Sequence, residues 1–224
     1  FNADDDTVGD SSPDEQWYSW HDEGASTDIV LTQDTVSSMG TFKTNIQNGR
    51  PVVRFDGTDD FLLGQSMGLS SFTVIVVALN PVDETKAVLI GEINEATPKR
   101  KWELFKRNAG EMAIFIAEDA DGDPNLLNRS SSVDLESIIE ATYQDGESVI
   151  GFIENGVVID NDLSSEPPAT SMATSSTVLS MASLEEGGQY MTVDIGEALI
   201  FNRKLTDAEL SQIRAWLNAR WAVF

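Results

Sequence analysis

The chain has 224 residues, enough for one large all-β domain or a small pair of domains, and its 41% hydrophobic content excludes a disordered chain. It contains no cysteine, so disulfides, zinc–thiolate sites and cysteine nucleophiles are excluded. Against 38 acidic residues stand only 14 basic ones, and the resulting net charge of −24 repels phosphate backbones and argues against nucleic-acid binding.

In chain order, short runs rich in β-branched and aromatic residues alternate with turn signals at the spacing of a sandwich. They are Pro51–Phe55, Phe72–Leu79, Ala87–Gly91, Lys101–Arg107, Met112–Ala117, Ile138–Tyr143 and Ser148–Glu154. The longest apolar run, Phe72–Leu79, is far short of the roughly 20 residues that span a bilayer as a helix, so no membrane insertion is expected. Asp145-Gly146 and Asn155-Gly156 suit the positive φ of tight hairpins, and Asn108-Ala109-Gly110 suits a slightly longer one. The acidic stretch Glu118–Asn128 and the Ser/Thr/Pro-rich stretch Ser164–Thr177 read as surface loops. Composition shifts nowhere enough to mark a linker, so 1–224 reads as a single domain.

One helix is predicted, at the C-terminus. Thr206 with Glu209 three residues on forms a capping box, and Leu205 with Leu210 a hydrophobic staple. Leu210, Ile213, Trp216 and Leu217 follow helical spacing and form the expected buried face. Trp221 is expected in the core as well. Arg214 and Arg220 lie toward the end where the helix dipole favours cations.

The segment NGRPVVRFDGTDDFL at Asn48–Leu62, followed by FTVIVVA at Phe72–Ala78, resembles the laminin-G-like, concanavalin A-like jelly roll in its phage and surface-protein branch. Trp20-His21-Asp22 with Gly24 and Leu31–Gln33 resembles that branch's opening segment, although Ala25 stands where a small polar turn residue is usual. Ser148–Ile159 resembles its strand–Asn-Gly–strand hairpin, and Ile195–Trp221 its closing strand and helix. The resemblance implies an all-β fold: a two-sheet antiparallel jelly-roll sandwich with one C-terminal helix. It further implies a module excised from a larger adhesion or virion protein, most often non-catalytic. Trp20 matches a position usually buried in the family, and Glu197 a Glu common in its closing strand.

Three constellations could carry chemistry. Gly64-Gln65-Ser66-Met67-Gly68 matches G-x-S-x-G, but a nucleophile elbow needs a helix after the Ser, and a strand is predicted there. The only His, His21, reads as structural. Thr192-Val193-Asp194-Ile195-Gly196-Glu197 aligns with the E-x-D-x-x-E strand of the retaining β-glucanases built on this sandwich. Thr192 occupies the nucleophile position, however, and retaining hydrolysis needs two carboxylates about 5 Å apart. Asp119, Asp121 and Asp123 alternate in one loop and could offer oxygens to calcium. Pro124 and Ser130 replace the Gly and Glu that an EF-hand requires. Asp56, Asp59 and Asp60 read as turn residues.

Trp17, Tyr18 and Trp102 are the aromatics left to stack on a sugar face. The expected function is therefore a non-catalytic binding or structural module of a virion or cell-surface protein. Its partners are glycans or neighbouring subunits, and it has no cofactor unless calcium binds. A glycoside hydrolase or lyase, or a decoration domain without ligand, are the alternatives. The charge fits an acidic extracellular surface protein. It fits equally a protein adapted to high salt, where a Debye length of about 3 Å at 1 M removes most self-repulsion.

Overall fold

The computed structural model describes residues 16–17, 19–21, 29–80, 87–94, 99–108, 111–117, 124–129, 136–147, 150–159, 172, 177–183 and 189–224. The first third holds β1 (Gln16–Trp17), β2 (Ser19–His21), β3 (Val30–Thr32), the 3-10 turn η1 (Val36–Ser38), β4 (Gly40–Gln47), β5 (Arg50–Asp56) and β6 (Leu62–Gln65). Then come β7 (Phe72–Leu79), β8 (Ala87–Asn94), β9 (Lys99–Asn108), β10 (Glu111–Ala117) and β11 (Pro124–Arg129). The chain closes with β12 (Glu136–Tyr143), β13 (Ile150–Glu154), β14 (Val157–Val158), β15 (Val178–Met181), β16 (Thr192–Phe201) and α1 (Asp207–Trp221).

These strands form two antiparallel sheets. One has the order β1-β4-β5-β16-β7-β12-β13-β14 and the other β11-β10-β9-β8-β15-β6-β3-β2. The expected two-sheet sandwich with a C-terminal helix is the observed architecture. Asn155 (φ 49°) and Gly156 (φ 82°) make the predicted hairpin turn between β13 and β14. Asn48 (φ 48°) and Gly49 (φ 77°) make the same turn between β4 and β5. Both pairs occupy the left-handed region, which Asn and Gly enter at least cost.

Strand β7 is apolar on both faces rather than alternating, with Thr73 as its one polar residue. Phe72, Val74, Val76 and Ala78 point into the core between the sheets. Ile75, Val77 and Leu79 point the other way, into a second cluster with Leu205, Leu210, Leu217 and Trp221. A strand covered on both faces admits a polar residue only where it is bonded, as at Thr73, whose hydroxyl donates to Arg203 O at 3.0 Å and accepts from Leu205 N at 2.9 Å. Helix α1 is the second cover, closing the outer face of the first sheet. The second sheet buries a smaller apolar cluster on its own outer face: Val88, Phe105, Ala113, Phe115 and Ala117.

The ends of α1 follow the local sequence. The Thr206 hydroxyl accepts from Glu209 N at 3.3 Å, and Glu209 Oε2 accepts from Thr206 N at 2.8 Å, which completes the capping box. Arg203 and the cap together hold the Glu209 carboxyl down at about 2. At the other end Ala222 (φ 52°) takes the left-handed conformation, and its N–H donates to Asn218 O at 2.7 Å.

Two sequence expectations need correction here. Trp216 is 49% exposed rather than buried. At roughly 100° per residue, Trp216 sits a quarter-turn from Leu217 around the axis, whereas Trp221 sits about 40° away. Trp221, fully buried as expected, completes the inward face. The second correction is at Glu118–Asn128, expected as a loop, where Pro124–Arg129 forms β11 at the sheet edge. Its Pro pairs with Ala117 at the strand start, a position where a missing N–H is tolerated.

Candidate functional site

The acidic strand β16 was the strongest catalytic pattern in the sequence, and its geometry is structural. Asp194 lies opposite Arg54 across the β16–β5 pair and accepts two guanidinium bonds, at 2.6 and 2.7 Å. A register shift between Ile195 and Glu197 leaves Gly196 at a bulge, so that Glu197, like Asp194, faces the helix side of the sheet. There Glu197 Oε2 accepts from Trp221 Nε1 at 3.0 Å and lies 3.2 Å from Arg220 Nε. The indole rests directly on Gly196: a Cβ at that position would stand 2.5 Å from a ring carbon. Thr192 donates its hydroxyl to Asp56 O at 3.0 Å. Glu197 is 3% exposed beneath the helix, so this strand presents no pair of carboxylates to an open cleft. Glu197 is thus bonded at the helix junction.

A second carboxylate with a similar duty is Glu140 on β12, which pairs with Arg214 of α1 (Nη2–Oε2 2.7 Å). Burial pushes its carboxyl up from the ordinary range, and the guanidinium opposes that shift.

The G-x-S-x-G segment connects β6 to β7 with no helix, so the elbow geometry is absent. The Ser66 hydroxyl donates to Glu92 Oε1 at 2.8 Å and is 2.8 Å from Thr177 Oγ1. The same fully buried Glu92 accepts Met67 N at 2.6 Å and Trp102 Nε1 at 3.1 Å, with Lys101 Nζ at 3.4 Å. A buried carboxylate with three donors and a cation is a satisfied anchor, here tying the β6–β7 connection to β8 and β9. Trp102 therefore leaves the set of sugar-stacking candidates. Its ring has no exposed surface and stacks on Phe72 with 4.8 Å between centroids. Trp17 pairs through its backbone with Gly40 at the β1 edge. Tyr18, Asp119, Asp121 and Asp123 lie outside the described residues, as do the side chains of Trp17 and His21. Trp20 is 2% exposed, buried as expected.

Asp56, Asp59 and Asp60 come together at the end of β5, each with an oxygen within 4.8 Å of the others. The grouping is built by turn chemistry. Asp56 Oδ1 accepts Thr58 N at 2.7 Å, Asp60 Oδ2 accepts Asp56 N at 3.0 Å, and Ser38 donates to Asp59 at 3.2 Å. Asp60 is buried, and desolvation raises its carboxyl to about 6, opposed by the Asp56 N–H bond and reinforced by the charges of Asp56 and Asp59. Three carboxylates at this spacing could contact one cation, but calcium takes six to eight oxygens. The sequence hinted at the turn through D-G-T-D-D. That Asp60 is the buried member depends on Phe61 N bonding back to Ser38 O across 23 residues of chain.

No protein-family model matches the chain, and no curated protein matches it. Solved structures do resemble it. The receptor-binding domain of botulinum neurotoxin D superposes with a TM-score of 0.59 at 11% identity, over 91% of this chain and 53% of that one. The serotype G binding domain gives 0.55 at 13% identity, over 85% and 49%. The CBM40 of a Ruminococcus gnavus IT-sialidase, bound to α2,3-sialyllactose, gives 0.52 at 12% identity, over 66% of this chain and 84% of that one. The chain spans about half the length of the toxin domains it matches. At these identities the likeness establishes the fold: a jelly-roll β-sandwich of a kind found in binding domains.

Proposed function

We propose that this chain is a non-catalytic glycan-binding module of a cell-surface or virion protein, on the laminin-G-like branch of the sandwich fold. The observation that carries the reading is the likeness to a sandwich captured with a sugar, the sialidase CBM40, across 84% of that domain. The commitment of Asp194 and Glu197 to Arg54, Arg220 and Trp221 supports the non-catalytic half of it. A net charge of −24 repels anionic sugars at low ionic strength, so neutral glycans are the expected ligands near 0.15 M salt. Trp17 and Tyr18 supply the stacking surface, and the Asp119, Asp121 and Asp123 loop supplies any calcium ligands. Such a module works outside the cell.

The test is a glycan array spanning neutral and sialylated sugars, with reducing-sugar release measured on β-glucans in parallel. Binding is expected, weakened by Trp17→Ala or Tyr18→Ala, with no release of sugar by the wild type. Hydrolysis that Glu197→Gln abolishes would make the chain a glycosidase. Silence across the whole array would leave a decoration domain instead.

A further inference from the structure

We propose that Asn48 is a site of spontaneous deamidation, and that the reaction unclasps the C-terminal end of α1. Asn is a thermolabile residue, and a following Gly makes it more so, because no side chain shields the backbone nitrogen that attacks it. The chain holds two Asn-Gly pairs, Asn48-Gly49 and Asn155-Gly156. Both form left-handed turns between strands, so local sequence and backbone do not separate them. Their surroundings do.

Asn155 is held through both ends of its amide. Its Oδ1 accepts from Ile138 N at 2.8 Å, and its Nδ2 donates to Glu136 O at 3.4 Å. A Cβ on Gly156 would stand 3.3 Å from Arg214 Cδ, so that turn is crowded as well. Asn48 and Gly49 are both exposed. One exposed bond holds the Asn48 amide, from Nδ2 to Arg220 O at 2.8 Å. The nearest atom to a Cβ on Gly49 is Asn45 Oδ1, at 3.8 Å. Each further bond that must open before reaction lowers the reactive population about fivefold.

The reaction needs water and no other partner. The Gly49 backbone nitrogen gives up its proton and bonds to Asn48 Cγ, the Cγ–Nδ2 bond breaks, and the nitrogen leaves as ammonia. Water then opens the resulting succinimide at either carbonyl, to give an aspartyl or an isoaspartyl linkage. Both products replace an amide donor with a carboxylate. The isoaspartyl form also adds a methylene to the backbone of a two-residue turn.

The consequence is local. A helix leaves its last carbonyls without helical donors, and here the β4–β5 hairpin supplies them. Gln47 Nε2 donates to Ala222 O at 3.2 Å, while Asn48 Nδ2 and Arg50 Nε both donate to Arg220 O, at 2.8 and 3.0 Å. A carboxylate at position 48 cannot donate, faces the negative end of the helix dipole, and competes with Arg220 O for the Arg50 guanidinium. Two of these three bonds are thereby lost or weakened.

Incubating the intact folded chain in mildly alkaline buffer, with peptide mass spectrometry at intervals, reads the conversion of amide to acid at both sites. Asn48 should convert about tenfold faster than Asn155, whereas in urea the two should convert alike. Hydrogen exchange at the Ala222 N–H, which donates to Asn218 O at 2.7 Å, should quicken about fivefold in the aged protein and in Asn48→Asp. Asn48→Gly tolerates the positive φ and cannot deamidate, so its exchange rate should stay constant over the same storage. If Asn48→Asp fails to fold, the aged wild type decides. Equal rates at the two sites in the folded chain overturn the proposal. So does an Asn48 that keeps its amide while the urea-unfolded chain converts, or an Ala222 exchange rate that conversion leaves unchanged.

Discussion

Replacing Trp221 with Ala removes the side chain on which the closing helix is seated. The ring is fully buried, and truncating a core Trp costs about 3–5 kcal/mol through lost contacts and a residual cavity. It also removes a donor from the buried Glu197 carboxylate, which adds about 1–3 kcal/mol less whatever Arg220 at 3.2 Å retains. Trp216→Ala, five residues away on the same helix, strips a half-exposed ring over which the Arg220 guanidinium lies at 5.4 Å. It should cost less than about 1 kcal/mol. Urea denaturation with unchanged slope reads both values. Gly196→Ala supplies a third arm, because its Cβ would meet the Trp221 ring at 2.5–2.8 Å. That substitution should cost about 1–3 kcal/mol alone and much less in the Trp221→Ala background, a coupling a double-mutant cycle resolves. Equal costs for the two Trp variants, or additive costs for Gly196→Ala and Trp221→Ala, would refute the docking geometry.

Asp60 sits at about 6 in the folded chain against an ordinary 3.8, so folding tightens its proton. Its contribution favours folding below pH 3.8 and is lost as pH rises through about 6. Asp60→Asn should accordingly stabilise the protein by about 1–3 kcal/mol at pH 8 and change little at pH 4, and identical effects at both pH values would count against it. Thr206→Ala removes the helix cap and should lower the urea-derived stability by about 1 kcal/mol; no measurable change would mean that the cap bonds are not formed in solution. Melting temperature should climb with NaCl toward molar concentrations, with magnesium and calcium acting alike. A large rise specific to calcium would instead assign an ion to a carboxylate cluster.

Interactions that close within a few residues are legible in the sequence. The Thr206–Glu209 box, the Leu205–Leu210 staple and the Asn155-Gly156 turn each rest on side chains at most five positions apart, and each formed as its residue types require. The strand runs were legible too, because an apolar run bounded by turn residues has few other ways to hide itself. What a carboxylate or an aromatic does was not. Glu197 meets Trp221 across 24 residues, Glu140 meets Arg214 across 74, and Asp194 meets Arg54 across 140. Trp102 and Trp216 illustrate the same division. Composition and period marked the first as free and the second as core, yet Trp102 lies between the sheets while Trp216 points away from them. Burial is set by what covers a face, and here the covering elements come from distant parts of the chain. Short-range chemistry thus set the helix cap, the tight turns and most of the strand runs, though not β11. Which acids are neutralised, which ring is sealed and which helix face stays open were decided only when the sheets paired and α1 docked across them.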